Sequence, residues 1–296
     1  MNYIIYLLFR VMVFINRFIP FFIFYYFADI VYFLLFHVIK YRRKVVESNL
    51  VKVFPDKEVH EIVEISQEFY KNLADIMLES VKGFSTSHAE LVKRYKIINP
   101  EIVDKYFENN QNIILIGAHY TNWEWGALTT GTQVKHHLVA LYKPLSNKYI
   151  DRYLHKRRAL WDMEMASIYS TFRVFDKKRN IPAGVIMLAD QCPTNMSRAY
   201  ILKFLGHDTA CLHGPEKYAI RYNLPLFYAN MQRIKRGYYH VTLESIEENP
   251  TQCAEGEVTQ KYMKRLEEII LDNPANWLWS HRRWKRIKSK NRNNNE

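Results

Sequence analysis

Apolar positions recur with two periods along this chain. Ile62, Ile65, Phe69, Leu73, Ile76 and Ser80 step by three and four, which predicts an amphipathic helix over 58–82. Beyond it, short runs of β-branched and aliphatic residues alternate with helical stretches. Strands are predicted at 112–117, 137–142 and 184–189, with 226–232 and 237–245 forming a hairpin across Arg236-Gly237. Helices are predicted at 122–133, 147–163, 213–222 and 256–272. Such alternation argues for an α/β fold: a mixed, mainly parallel sheet flanked by helices. No internal repeat appears. Low complexity is confined to the tail from Lys288 to Glu296, which reads as disordered.

The N-terminus breaks this pattern. Residues 3–39 are dominated by Ile, Leu, Val, Phe and Tyr, interrupted by Arg10, Arg17 and Asp29. Pro20 divides them into two helical pieces, 3–18 and 20–40. No uncharged stretch reaches the roughly 18–20 residues of a clean membrane span. With no small-residue cleavage pattern and no basic stretch ahead of Tyr3, a removable signal peptide is not expected. The region fits a single tilted anchor that tolerates Asp29, or a hairpin lying in the membrane interface. It also fits a soluble helical pair packed on the body. Tyr41-Arg42-Arg43-Lys44, directly after it, suits positive-inside placement with the body in the cytoplasm.

Charge and cysteine usage narrow the partners. The 296 residues suffice for one large α/β domain or two small ones, and their net charge of +12 points to anionic partners: nucleic acid, acidic protein or anionic lipid. Basic clusters follow the apolar N-terminus, occupy 155–158 and fill 281–292. They do not lie along a recognition element with aromatic platforms, so nucleic acid is not the expected partner. Cys192, Cys211 and Cys253 are scattered, which favours a reducing compartment over a disulfide framework or a thiolate zinc site. The His136-His137 pair shows no ligand spacing, and no metal is implied.

Candidate chemistry centres on one strand end. The run Ile113-Ile114-Leu115-Ile116 stops at Gly117, His119 follows, and Glu124 comes five positions later. Within a single helix these two side chains would point about 140° apart. They meet only if His119 lies in the turn and Glu124 in the first helical turn, with Asn122 as N-cap. An imidazole would then stand beside a carboxylate at the carboxyl end of a strand, where open α/β sheets place their ligands. A carboxylate fixes the imidazole tautomer and stabilises the imidazolium, so the ring can take a proton from a substrate hydroxyl attacking an acyl carbonyl. The bare spacing equally describes a histidine that only bonds the backbone.

The surrounding residues separate these readings. Gly117-Ala118-His119-Tyr120-Thr121-Asn122-Trp123-Glu124 resembles the G-x-H-x-x-N-W-E block of the late acyltransferases of lipid A biosynthesis, within the lysophospholipid acyltransferase superfamily. Further blocks follow in that family's order. Tyr41-Arg42-Arg43-Lys44 with Asn49-Leu50 and Phe54-Pro55 is similar to its N-terminal signature, and Tyr142-Lys143-Pro144 with Asn147, Asp151 and Arg158 to its Y-R-P…N…D…R segment. Leu188-Ala189-Asp190-Gln191 looks like its A-D-Q turn, and Phe204-Leu205-Gly206 with Gly214-Pro215 like its F-x-G…G-P pair. Pro274, Trp277-Leu278-Trp279 and His281-Arg282-Arg283-Trp284-Lys285 resemble its C-terminal signature.

The resemblance implies a glycerol-phosphate-acyltransferase-like fold and an O-acyltransferase that uses no cofactor beyond its acyl thioester donor, acyl carrier protein. The acceptor would be an anionic glycolipid, a lipid A precursor, met at the cytoplasmic face of a bacterial inner membrane. His119 would be the general base, Glu124 its orienting partner, and Arg158 either an acceptor-phosphate contact, a clamp on Glu124 or a solvated charge in His155-Lys156-Arg157-Arg158. Asn122, Lys143, Asp190, Gln191 and Gly214 would bind substrate. Asp190 and Gln191 fit a cleft wall or an ordinary turn, and Gly214-Pro215 fits an anion-binding helix start or simple helix initiation. Trp277, Trp279 and Trp284 with their basic neighbours fit an interfacial belt, a carrier-protein dock or a buried corner. The domains expected are membrane-associated helices over 1–40, an α/β acyltransferase domain over 41–285 and a basic disordered tail over 286–296. The same chemistry on a lysophospholipid or aminolipid remains open, as does, more distantly, a non-enzymatic basic protein that binds membrane or nucleic acid.

Overall fold

The computed structural model describes residues 1–285, so the tail expected at 286–296 lies outside the described residues. Strands are β1 Tyr95–Ile97, β2 Ile113–Gly117, β3 His137–Tyr142, β4 Met163–Ser167, β5 Ala183–Leu188, β6 Ala199–Phe204, β7 His207–Leu212, β8 Leu226–Lys235 and β9 Tyr238–Glu247. Helices are α1 Asn2–Asn16, α2 Phe21–Phe33, α3 Arg43–Val53, α4 Val59–Gly83, α5 His88–Arg94, α6 Asp104–Glu108, α7 Trp123–Thr129, α8 Lys148–Ala159, α9 Thr171–Asp176, α10 Gly214–Tyr222 and α11 Glu257–Asp272.

Seven strands form one sheet in the order β1-β9-β8-β2-β5-β3-β4. Only the β8–β9 pair is antiparallel, turning at Gly237 with φ 75°; the other pairs run parallel. The mixed, mainly parallel sheet flanked by helices is thus the fold. Its central strand β2 is buried at every position, which is why it reads as an unbroken apolar run without alternation. The register Gly117↔Leu188 continues into a bond from Ala189 N–H to Gly117 O (3.1 Å). Residues 119 and 190 therefore leave adjacent strand ends side by side.

Three elements depart from expectation. The helix predicted over 147–163 stops at Ala159, because Asp162 takes a left-handed backbone (φ 56°) and the chain enters β4. The helix predicted over 122–133 ends at Thr129 in a tight 3₁₀ turn, where Gly131 packs against the backbone of Trp161 and Asp162 too closely for a side chain. The F-x-G block is a second hairpin, β6–β7, whose turn residues Leu205 (φ 50°) and Gly206 (φ 76°) both have the positive φ that a two-residue turn needs.

The N-terminal helices lie along the body. α2 and its π-helical extension Leu34–Val38 run antiparallel to α4, from Tyr25 bonded to Glu79 down to the Phe36–Tyr70 ring contact. Phe21–Val38, 18 residues with mean hydropathy 1.8, is long and apolar enough to cross a membrane. Asp29 on that helix is paired with Arg236 (2.5 Å), which also holds the buried Asp75. The charge that made a span costly is thus met by the body. The outward face, including Phe22, Tyr26 and Phe33, stays exposed, as do Phe14 and Phe18 on the α1 side.

Candidate active site

The loop after β2 is fixed by the C-terminal segment. Thr121 N–H donates to Asn276 O (2.9 Å), and Leu278 N–H donates to His119 O (3.1 Å). These bonds hold Thr121 in a left-handed conformation (φ 51°), unusual for a β-branched residue and affordable only where neighbours enforce it. Asn122 then caps α7, its Oδ1 accepting from Trp125 N–H (3.0 Å). His119 is left projecting from the turn with its ring edge against Trp123.

Its hydrogen bond goes to Asp190, not to Glu124. His119 Nδ1 and Asp190 Oδ1 are 2.7 Å apart, and Trp277 Nε1 donates to the other carboxylate oxygen (3.1 Å). This corrects the expected His119–Glu124 pair. Glu124, one residue into α7, turns toward α8 and accepts from Arg158 Nη2 (2.6 Å). Arg158 is itself buried, so it takes the nearest carboxylate, while strand pairing has already delivered Asp190 to the imidazole.

Each partner shifts the other toward its charged form. Burial alone would raise the Asp190 carboxyl, but the His119 charge and the hydrogen bonds from His119 and Trp277 outweigh it and hold it below its usual range. Burial alone would lower His119, but the charge and hydrogen bond of Asp190, with Glu124 adding a smaller pull, raise it. An anionic Asp190 can only accept, so Nδ1 of His119 carries the proton and Nε2 is an acceptor in the neutral ring. Nε2 faces the Gln191 side-chain amide nitrogen at 3.3 Å, a donor that matches this tautomer.

A second histidine beside this pair escaped notice as a site residue. His281 Nε2 accepts from Cys192 N–H (3.1 Å), and burial lowers its pKa, so it holds the 190–192 turn as a neutral acceptor. Asn49 Nδ2 donates to Trp279 O (2.8 Å) and His281 O (2.9 Å), and Arg42 Nη1 to Ser280 O (3.1 Å). The N-terminal signature therefore braces the C-terminal one. Trp277, Trp279 and Arg283 are fully buried, with Trp284 nearly so, and Arg283 Nη1 donates to Ala210 O (2.6 Å). Among the readings of this segment, the buried corner is the one observed.

Glu79 was also missed. Fully buried on α4, it accepts from Tyr25 OH (2.7 Å), Asn122 Nδ2 (2.6 Å) and Tyr239 OH (2.6 Å), and burial raises its pKa. Its carbonyl receives Trp125 Nε1 (2.7 Å). The sequence did carry a signal: Glu79 lies three residues after Ile76 on the helix's apolar stripe.

The remaining predicted residues differ in place. Asn122 is fully buried, its Oδ1 taken up by the cap and its Nδ2 donating to Glu79, so it frames the loop. Lys143 is exposed just past β3, and Asp151 fixes its loop through Leu145 N–H (2.9 Å) and Tyr142 OH (3.1 Å). Gly214 opens α10, followed by Pro215 in the first turn. Among the described residues neither Lys143 nor Gly214 hydrogen-bonds to the His119–Asp190 pair.

Comparison with known proteins agrees with the geometry in one respect and adds nothing in another. A family model described as bacterial lipid A biosynthesis acyltransferase matches residues 1–286. A search of curated proteins returned no match.

Proposed function

The chain belongs to the bacterial lipid A biosynthesis acyltransferase family, and on that premise we propose that it moves a fatty acyl group from acyl carrier protein to a hydroxyl of a lipid A precursor. The observation that carries the mechanism is the 2.7 Å bond from His119 to Asp190 at the carboxyl ends of β2 and β5. The acceptor hydroxyl replaces the Gln191 amide at Nε2 and gives up its proton there as its oxygen attacks the thioester carbonyl. Asp190 holds the tautomer and stabilises the imidazolium. The tetrahedral intermediate collapses with loss of the thiolate, which takes the proton back from Nε2. One ester forms, one thioester breaks and a thiol leaves. The Gln191 amide, freed from Nε2, is a donor for the oxyanion. Arg158, fixed by Glu124, keeps positive charge beside it. In this reading Asp190 is the orienting partner that Glu124 was expected to be.

The same reading places the protein on the cytoplasmic face of a bacterial inner membrane, with the outward apolar faces of α1 and α2 in the interface. Purified protein given acyl carrier protein loaded with a fatty acid and a lipid A precursor should yield a precursor heavier by one acyl chain in mass spectrometry. A strain lacking the gene should lose that chain. Transfer to a lysophospholipid or aminolipid with none to the precursor would overturn the acceptor assignment while leaving the His119 chemistry standing.

A further inference from the structure

A cavity lies away from the His119–Asp190 pair. It has a volume of about 850 Å³ and sits between the α1–α2 elbow, the end of α4 and the outer side of α8. Arg10, Arg17, Lys82 and Arg157 line it, against the single carboxylate of Glu90. Glu90 is already engaged by Arg94 at 2.6 Å. Lys82 is only 4% exposed, yet its ammonium donates solely to the backbone carbonyls of Asn16 (2.5 Å) and Ile19 (2.6 Å). Arg157 Nη2 donates to the Phe84 carbonyl (2.8 Å), and Arg10 to the Tyr6 hydroxyl (2.9 Å). Among the described residues, none of the four cations has a carboxylate partner.

Taking a cation from water without a counter-ion is costly, and several converging on one cavity repel one another. An anion seated among them removes both penalties. The remaining walls are apolar, with Val13, Phe14, Phe18, Phe21 and Phe84 among them. Phe14 and Phe18 are 63% and 69% exposed, so the mouth opens on the same apolar face as α1 and α2. The ligand must therefore carry a negative charge at one end and hydrocarbon at the other, and must be met at a membrane surface. We propose that this cavity binds the phosphate headgroup of an anionic glycerophospholipid, with an acyl chain along Phe14 and Phe18. Lys82 and Arg157 lie at depth and Arg10 and Arg17 at the rim, so the headgroup enters past the elbow. The site goes beyond the proposed transfer reaction and does not depend on it, since it shares no residue with the His119 cleft.

The test uses the full chain and reads binding, not turnover. Flotation with phosphatidylcholine vesicles, with and without phosphatidylglycerol, is compared for the parent protein and for Arg17→Ala with Arg157→Ala. A control, Lys217→Ala with Lys264→Ala, removes the same charge from exposed positions elsewhere on the surface. A basic residue near an anionic surface contributes enough that losing both cavity arginines should weaken phosphatidylglycerol-dependent binding about tenfold to thirtyfold. The control should lose no more than a few-fold. Equal losses in the two variants would reduce the site to diffuse surface charge and overturn it. Mass spectrometry should find glycerophospholipid retained by the purified parent and depleted in the cavity variant. If the double variant misfolds, Arg17→Ala alone, at an exposed elbow position, carries the same comparison. Turnover on detergent-dispersed acceptor should be unchanged. A raised KM for acceptor, with vesicle binding intact, would make the cavity part of the acceptor site and sink the proposal.

Discussion

Arg157 and Arg158 are neighbours on α8, yet they face regions built on opposite principles. Arg158 turns toward α7, is buried, and is closed at 2.6 Å by Glu124, whose charge also acts on His119. Arg157 points to the elbow cavity and meets only a backbone carbonyl. In the cleft the ionic groups named are paired within the protein: His119 with Asp190, Arg158 with Glu124. Around the cavity the cations are left over. A site that does proton transfer must fix its charges before substrate arrives, so that none is spent reorganising them. A site that holds an anion keeps positive charge unanswered until the ligand comes. The positions of the carboxylates, more than those of the basic residues, distinguish the two regions.

The largest effect expected comes from removing the proposed base. General-base catalysis contributes about 10²–10⁴-fold, so His119→Ala should lower kcat by that order while circular dichroism shows an intact fold. Near-normal turnover in the folded variant would leave the His119 pair without a catalytic role.

Asp190→Asn should come next, with a loss on the order of 10²-fold and a change in pH profile that a purely structural residue would not cause. His119 must be neutral at Nε2 to act, so kcat/KM falls as pH drops through its pKa. Asp190 raises that pKa, and removing its charge should move the acid limb to lower pH. Glu124→Gln should shift the limb in the same direction and less far, because Glu124 is the weaker of the two pulls. If Glu124→Gln moved the limb further than Asp190→Asn, the assignment of partners would be reversed.

That pairing shows where the sequence runs out. The His119 turn was legible because its signals are local: an apolar run, Gly117, and Asn122 placed to cap a helix. Asp190 was legible as a residue of the same rim. Its bond to His119 was not, because it depends on β2 and β5 being adjacent in the sheet, and β3 and β4 intervene along the chain. Reading Glu124 as the partner followed sequence proximity, whereas Arg158 decided its orientation through a contact 34 residues away. The same limit hid β1, only three residues long, and β4, which followed a helical stretch without a glycine or proline to separate them. Glu79 could have been found, since a carboxylate on an apolar stripe is a buried polar group that must be satisfied.

On the other side of the comparison, the apolar face can be altered without touching the cleft. Phe22, Tyr26 and Phe33 are 76%, 67% and 54% exposed on α2. Burying one such side chain is worth about 1.5–3 kcal/mol, so replacing all three with Gln should cut turnover on bilayer-held acceptor at least roughly tenfold. Turnover on detergent-dispersed acceptor should hold. Deleting 1–39 is a harsher experiment, since it strips Tyr25 from Glu79 and Asp29 from Arg236 and should destabilise the body, as thermal unfolding would show. Equal losses in bilayer and detergent for the triple variant would mean that this face serves packing, not the membrane.

The smallest effect expected concerns the proposed donor. With Trp277, Trp279 and Trp284 buried, the C-terminal signature offers a carrier protein only its exposed charges, Arg282 and Lys285. Arg42 and Lys44 are likewise exposed, and Arg42 reaches Ser280 beside His281. This makes a basic rim next to the cleft, and an acidic carrier protein would be steered to it. Steering of exposed charges is screened beyond about 8–10 Å at moderate salt, so its loss should cost only a few-fold. Raising ionic strength should therefore lower kcat/KM for the carrier-bound donor more than for the same acyl group on a small thiol. Lys44→Glu with Arg282→Glu should reproduce that loss at low salt and abolish most of the salt dependence, because the charges that salt would screen are gone. An unchanged salt response in the double variant would move the dock elsewhere on the surface. Identical responses for the two donors would remove the carrier protein from the mechanism.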